Sequence, residues 1–188
     1  MKIIKYPKQS EYKDLLTRPT QDISVIEQRV APILKRVKEE GDTAIRDFAL
    51  KFDNVFLNTV EVNITEIEKA ESLLSEELKT AIKQAYSNIF KFHEAQKSIP
   101  EKIETMAGVT CWRKSVGIDK VGVYIPGGTA PLFSTVLMLG IPAQIAGCRE
   151  VILCTPSNHP AIYYAASLCG ITKAFRIGGA QAIAIVEP

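Results

Sequence analysis

The 188-residue sequence has few of the side chains from which proteins build metal centres or nucleic-acid surfaces. It contains only two histidines, whereas a zinc site closed by protein ligands normally takes three or four. Its net charge is +2, from 23 basic and 21 acidic side chains, which is too small and too evenly mixed for binding DNA or an anionic membrane. We therefore expect no metal ligands in this chain, and neither nucleic acid nor membrane as a partner.

Long apolar runs and paired cysteines are also missing. No stretch approaches the roughly 20 apolar residues of a membrane span. The start of the chain has only two consecutive apolar residues between lysines, unlike a signal peptide. The four cysteines, at positions 111, 148, 154 and 169, have no CxxC spacing that would suggest a metal knuckle. These features predict a protein of the reducing cytoplasm.

What the sequence does have is a change of character near residue 120. Residues 121–188 carry only five of the 44 charged side chains but eight of the eleven glycines. This composition is typical of elements that are buried on both sides and joined by tight turns. We expect two units: a helical N-terminal region at 1–120 with a short strand or hairpin, and a more buried unit at 121–188.

Periodic apolar residues predict helices in the first unit. One helix begins at Asp22 or Ser24 and ends before Gly41, where a second helix begins with Asp42 as its cap. A short extended stretch is predicted at 60–63, and a capping box at Thr65–Glu68 opens the next helix. A long helix is predicted at 75–98, and a strand that could form one arm of a hairpin at 107–116.

The second unit alternates strand and helix patterns. Strands are predicted at 121–125, 150–156 and 174–179, and helices at 133–146, 161–170 and 180–186. This order implies parallel strands joined by right-handed crossovers. The predicted fold class is therefore α/β, with an incomplete Rossmann-like parallel sheet preceded by a helical N-terminal region.

Two glycine turns follow strands of the predicted sheet. Because the carboxyl ends of parallel strands meet at one edge, Pro126-Gly127-Gly128 and Gly178-Gly179 should face the same rim, where ligands bind. Glycine lets the backbone approach a ligand closely, and the N–H groups at a helix N-terminus attract phosphate. Neither turn matches the GxGxxG or the GxxxxGK[ST] pattern, so a purely geometric role stays open for both.

Two polar side chains flank these turns. Tyr124 enters the first turn and Gln181 leaves the second, and either could stack on or hydrogen-bond to a nucleotide. The alternatives are a tyrosine of the core and a glutamine on the surface of a helix. Composition and spacing do not decide between these interpretations.

Four segments resemble the histidinol dehydrogenase family. The most specific is VGVYIPGGTAPLFSTVLMLGIPAQIAG at 121–147, which is similar to the family signature. VKEEGDTAIRDFALKFDNV at 37–55 resembles an N-terminal family pattern, IFKFHEAQ at 89–96 the end of a family helix, and FRIGGAQAIA at 175–184 the family's second glycine turn. The resemblance extends from about residue 20 to residue 185.

The resemblance implies a fold similar to that of aldehyde dehydrogenases, with residues 121–188 as a partial Rossmann-like dinucleotide-binding domain. Family members are zinc-dependent homodimers that oxidise L-histidinol through the aldehyde to L-histidine, and they pass two hydrides to two NAD molecules. By position, Tyr124 and Gln181 match residues with which the family holds NAD. Pro126, Gly127 and Gly128 complete the predicted cofactor-binding set.

The same resemblance limits what this chain is expected to do. Family members are more than twice as long, and their catalytic Glu-His pair and zinc ligands match positions beyond residue 188. We therefore expect this chain to be the N-terminal part of the enzyme, with no catalytic residue and no metal ligand, and to be inactive alone. The alternative is a non-catalytic, truncated binding or assembly module that keeps the fold, because the weakly charged second unit would leave apolar patches exposed.

The remaining reactive side chains have simpler interpretations. His93 is expected to pack against or cap a helix end, and His159 to lie at a helix start. Cys154 ends an apolar strand and Cys169 lies in an apolar helix, where thiols are typically inert. The sequence therefore predicts no nucleophile among them.

Overall fold

The structure is a computed structural model that describes residues 3–18, 23–128 and 130–186. Its α-helices are α1 (Tyr12–Leu16), α2 (Ile23–Glu40), α3 (Asp42–Asp53), α4 (Ile64–Lys69), α5 (Glu76–Glu94), α6 (Phe133–Ala146), α7 (Pro160–Leu168) and α8 (Gly179–Val186). Its strands are β1 (Lys102–Met106), β2 (Val109–Trp112), β3 (Lys120–Tyr124), β4 (Glu150–Cys154) and β5 (Lys173–Phe175). Among the described helices, none has the length and the apolar content needed to cross a membrane.

Gly41 joins α2 to α3. Its φ of +56° lies in the left-handed region that favours glycine, and its N–H donates to the carbonyl of Val37 at 2.9 Å. Helix α2 ends before Gly41, as predicted. The prediction that Asp42 caps α3 is wrong, because Gly41 is the N-cap and Asp42 is the first residue of the helix. Of the two predicted N-caps of α2, Asp22 lies outside the described residues, and Ser24 lies inside the helix instead of before it.

Asn63 caps α4, so the capping box predicted at Thr65–Glu68 is wrong. The Asn63 side-chain oxygen accepts the N–H of Thr65 at 2.9 Å, which starts the helix at Ile64. Helix α5 follows with Ser75 as its N-cap and ends at residue 94, four residues before the predicted end. The helices exist where the pattern predicts them, but their terminal residues depend on which side chain reaches the free N–H groups.

Strands β3, β4 and β5 form a parallel sheet in that order. Val123 lies beside Leu153, and Leu153 lies beside Ala174. Helices α6 and α7 connect the strands, so the predicted α/β fold is confirmed. Strand β3 has the predicted length and begins one residue earlier, whereas β4 and β5 end at Cys154 and Phe175, before their predicted ends at 156 and 179.

Successive residues of each strand point to opposite faces of the sheet, and both faces are covered. Val123 and Leu153 pack against α5, α6 and α7. Tyr124, Cys154 and Phe175 pack on the other face, against residues of α2, α3 and α8. Helices of the first 120 residues therefore cover both faces of the sheet.

The extended stretch predicted at 60–63 runs antiparallel to the outer edge of β5. The N–H of Val62 donates to the carbonyl of Ala174, and the N–H of Arg176 donates to the carbonyl of Val60, both at 2.8 Å. The Arg176 side chain also pairs with Glu66 at 2.7 Å. These contacts hold the end of α3 close to the carboxyl ends of the strands.

Strands β1 and β2 form an antiparallel hairpin that turns at Gly108, where φ is +79°. The predicted strand at 107–116 is confirmed as one arm, shortened to Val109–Trp112. Every residue of both strands is exposed. The hairpin therefore contributes nothing to the buried core.

Candidate functional site

A cleft of about 490 Å³ lies at the carboxyl ends of β3, β4 and β5. Among the described residues, it is lined by Asp53, Val55, Tyr124, Pro126, Gly127, Gly128, Pro156, Ser157, Asn158 and Gly179. The structure thus brings together four of the five predicted cofactor-binding residues. The fifth, Gln181, lies beside the cleft and does not line it.

Tyr124 links the two glycine turns. Its hydroxyl oxygen accepts a hydrogen bond from the N–H of Gly179 at 3.0 Å. The expectation that both turns face one rim is therefore confirmed by a direct contact. Tyr124 is only partly buried, so it is neither an ordinary core tyrosine nor a free surface side chain.

The first turn is packed at one glycine and open at the next. A Cβ added at Gly127 would lie 2.8 Å from Cγ of Pro156, which is too close for any side chain. A Cβ added at Gly128 would meet no atom of the described residues within 4 Å. Gly127 is thus required for packing, whereas Gly128 presents bare backbone to the cleft.

The second turn is closed at both of its glycines. A Cβ at Gly178 would lie 3.0 Å from Cγ of Pro156 and 3.2 Å from Oδ2 of Asp53. Gly179 has a φ of +63°, and a Cβ there would lie 2.6 Å from Oε1 of Gln181. A side chain at Gly178 would require Pro156 or Asp53 to shift by a few tenths of an ångström, and one at Gly179 would require Gln181 to move and would also be strained by the positive φ.

Gln181 is buried without a hydrogen-bond partner. Its side chain is 1% exposed, and neither its amide nitrogen nor its amide oxygen bonds to any described residue. It is therefore not a glutamine on a helix surface. Buried polar atoms are nearly always paired in folded proteins, so an unpaired buried amide is typical of a group that awaits a ligand or water.

Asp53 is a feature of the cleft that the sequence did not predict. It is the last residue of α3, and partial burial raises the pKa of its carboxyl above the ordinary value. No hydrogen bond or ion pair joins this carboxylate to the described residues. In the sequence, Asp53 is distinguished only by its place near the end of the segment 37–55. It was not predicted as a site residue because an acidic residue at a helix end usually lies on the surface.

Three residues after β4 were also missed, namely Pro156, Ser157 and Asn158. They could have been predicted from the rule that placed the glycine turns, since they follow a parallel strand at the same edge. Ser157 is held in place because its carbonyl accepts the hydroxyl of Tyr163 at 3.1 Å. The wall between the two glycine turns is therefore fixed by α7.

The two histidines and Cys154 lie where the sequence predicts, whereas Cys169 follows α7 as its C-cap instead of lying within the helix. His159 caps α7, with Nδ1 accepting the N–H of Ala161 at 3.2 Å, and His93 lies in the last turn of α5. Burial raises the pKa of the Cys154 thiol to about 11 and that of the Cys169 thiol to about 12. Both thiols stay protonated at neutral pH and are poor nucleophiles.

A larger cavity, of about 780 Å³, lies between α2, α3 and the end of α8. It is lined by aliphatic residues and Phe175 together with lysine, arginine, aspartate and glutamate residues, and neither glycine turn that follows a strand borders it. Ligands of open parallel sheets bind at the carboxyl ends of the strands. The smaller cleft is therefore the better candidate site.

The sequence model of the family described as histidinol dehydrogenase matches residues 16–187 of this chain. The chain belongs to the histidinol dehydrogenase family. The resemblance found in the four sequence segments is thereby confirmed, and it extends over nearly the whole chain.

Individual family members give the same result. Histidinol dehydrogenase from Bacteroides thetaiotaomicron is 53% identical over 98% of this chain, and that from Aliivibrio fischeri is 51% identical over 93%. The crystal structure of histidinol dehydrogenase from Elizabethkingia anophelis superposes with a TM-score of 0.84 at 47% identity, covering 95% of this chain. The chain spans 44%, 40% and 42% of these three proteins, respectively, and corresponds to their N-terminal portion.

Proposed function

We propose that this chain provides NAD contacts of a histidinol dehydrogenase, the enzyme that catalyses the four-electron oxidation of L-histidinol to L-histidine. The observation that carries the proposal is the cleft in which the hydroxyl of Tyr124 joins the two glycine turns. The same cleft contains Pro126, Gly127 and Gly128. Family membership supports the assignment of the reaction to the whole enzyme.

One feature of the cleft and one side chain beside it suit NAD. The bare backbone at Gly128 lets a phosphate or a ring approach without meeting a side chain. The unpaired amide of Gln181 has both a donor and an acceptor to offer to a ligand. NAD, when bound, would supply the hydride acceptor, while this chain would hold and orient it.

We propose that the zinc ligands of the whole enzyme lie outside this chain. Among residues 3–18, 23–128 and 130–186, no group of three or more histidine, cysteine, aspartate or glutamate side chains could hold a metal ion. We propose zinc-dependent chemistry for the whole enzyme and not for this chain. We propose that it does not oxidise histidinol alone, and a measurable rate of NADH formation with histidinol and zinc would contradict this.

A second candidate function is that of an assembly module without catalytic activity. The exposed hairpin favours it, since Met106 and Trp112 are 67% and 58% exposed. An isolated two-stranded sheet is only marginally stable in water, so a partner would stabilise it.

We propose a homodimer in the cytoplasm. A monodisperse monomer in light scattering at micromolar concentration would contradict the homodimer for this chain.

Calorimetric titration of the 188-residue chain with NAD tests the proposed function. We expect saturable binding, and we expect Gln181→Met to weaken it about tenfold, which corresponds to roughly 1.4 kcal/mol. The substitution removes two unpaired buried polar atoms, so the thermal stability should stay the same or rise. Gln84→Met, on the exposed surface of α5, is the control and should leave binding unchanged. Absence of NAD binding by the unsubstituted chain would refute the proposal.

A further inference from the structure

The strand that usually carries the ribose-binding acid does not carry one here. In Rossmann-like folds, an Asp or Glu at the end of the second strand accepts a hydrogen bond from the ribose 2′-hydroxyl of NAD. In this chain the second strand of the parallel sheet is β4, and the side chains after it that line the cleft are Pro156, Ser157 and Asn158. The usual ribose acid is therefore missing from its usual position.

A carboxylate nevertheless reaches the same cleft from the helical region. Asp53 ends α3, and Asn54, with a left-handed φ of +54°, turns the chain sharply after it. The Asp53 Oδ2 lies 3.2 Å from the position that a Cβ of Gly178 would occupy, beside the closed turn. Asp53 is thus fixed at the rim by the end of a helix and by the neighbouring backbone.

The surroundings of Asp53 leave its oxygens available to a ligand. No described residue donates a hydrogen bond to them or pairs with their charge, although the side chain is partly buried. An ionised carboxylate only accepts hydrogen bonds, so its natural ligand is a donor such as a sugar hydroxyl. Among the described residues that line the cleft there is no lysine or arginine to neutralise an added phosphate.

We propose that Asp53 accepts a hydrogen bond from the adenosine 2′-hydroxyl and makes the cleft select NAD over NADP. This inference rests on the proposed NAD site and names its specificity-determining residue. A 2′-phosphate would remove the hydroxyl donor and would place negative charge beside an unpaired carboxylate. Charge repulsion and hydrogen bonding therefore both favour the binding of NAD over that of NADP.

The test is to measure dissociation constants for NAD and for NADP on the 188-residue chain. We expect the unsubstituted chain to bind NAD at least about tenfold more tightly than NADP. In Asp53→Asn, the ratio of the two constants should shift by about tenfold toward NADP, since the repulsion disappears and the acceptor is weakened. Asp119→Asn is the matched control, because Asp119 precedes β3 at the opposite end of the sheet and pairs with Arg149. It should leave the ratio unchanged.

A ligand series on the unsubstituted chain avoids any effect of the substitution on folding. NAD that lacks the 2′-hydroxyl on its adenosine ribose should bind about three- to tenfold more weakly than NAD. Suppose that NAD binds, that NADP and the 2′-deoxy analogue bind as tightly as NAD does, and that Asp53→Asn leaves the ratio of the two dissociation constants unchanged. The inference about Asp53 is then wrong, while the NAD site stands. If the unsubstituted chain binds neither dinucleotide, the proposed function itself fails.

Discussion

The two glycine turns at the carboxyl edge are alike in sequence and different in structure. Both follow a strand and both face the same cleft. The turn after β3 presents Gly128, around which there is open space, whereas the turn after β5 is filled by Pro156, Asp53 and Gln181. The N–H of Gly179 also donates a hydrogen bond to the hydroxyl oxygen of Tyr124.

This difference gives Gly128 a role in facing the ligand and Gly179 a role in stabilising the fold. A glycine that borders open space can be replaced without loss of stability but with loss of ligand access. A glycine in a closed, left-handed turn cannot be replaced without moving its neighbours. The comparison therefore predicts which glycines stabilise the fold and which serve binding.

The largest expected effect is at the closed turn. Gly179→Ala forces a side chain into the left-handed region and against the buried Gln181, and we expect it to lower the free energy of unfolding by about 2 to 4 kcal/mol. Chemical denaturation measures this loss. If Gly179→Ala were as stable as the unsubstituted chain, the second turn would not be closed as described.

A smaller loss is expected at the packed glycine of the first turn. Gly127→Ala brings a methyl group against the ring of Pro156 without placing it in the left-handed region, so we expect a loss of about 1 to 2 kcal/mol. The double variant with Pro156→Ala should recover part of it, because Cγ of the Pro156 ring is the nearest atom to the added methyl group among the described residues. Denaturation curves of the single and double variants provide the check, and no recovery would argue against this contact.

The hydrogen bond between the turns should contribute about 1 kcal/mol. Tyr124→Phe removes the oxygen that accepts the N–H of Gly179, and it should also weaken NAD binding. Tyr86→Phe is a matched control, because the Tyr86 hydroxyl donates to Gln144 at 2.8 Å outside the cleft. The control should lose similar stability and keep its NAD affinity. Equal affinity losses in both variants would show that Tyr124 has no specific role.

The smallest effect on stability is expected at the open glycine. Gly128→Ala should change the free energy of unfolding by less than about 0.5 kcal/mol, since no atom of the residues that the structure describes lies within 4 Å of the added methyl group. The same methyl group projects into the cleft and should weaken NAD binding severalfold. A stable variant with unchanged affinity would mean that the first turn does not contact the ligand.

The elements of the sheet could be predicted from the sequence because local pattern determines them. Alternating apolar strands and apolar helices gave the α/β fold, and the rule for parallel strands placed Tyr124 and Gly179 at one edge. The same local logic misplaced the cap of α4, because the nearby Asn63 and Thr65 both offer a side-chain oxygen and only one reaches the free N–H groups.

The place of Asp53 in the cleft and the burial of Gln181 could not be predicted from local patterns. Asp53 reaches it because 60–62 pairs with β5 and so holds the end of α3 against the sheet, a contact across more than a hundred residues. Gln181 is buried because α8 packs beneath the helices of the first region. Both depend on packing between distant segments, which a local pattern does not encode.

The most direct test of the central claim is to map amide chemical shifts of the chain during titration with NAD. We predict the largest changes at Gly127, Gly128 and Asn158, with smaller ones at Gly179, whose N–H is already bonded to Tyr124. No shifts at all, or shifts confined to the larger cavity around Glu61, would contradict the account.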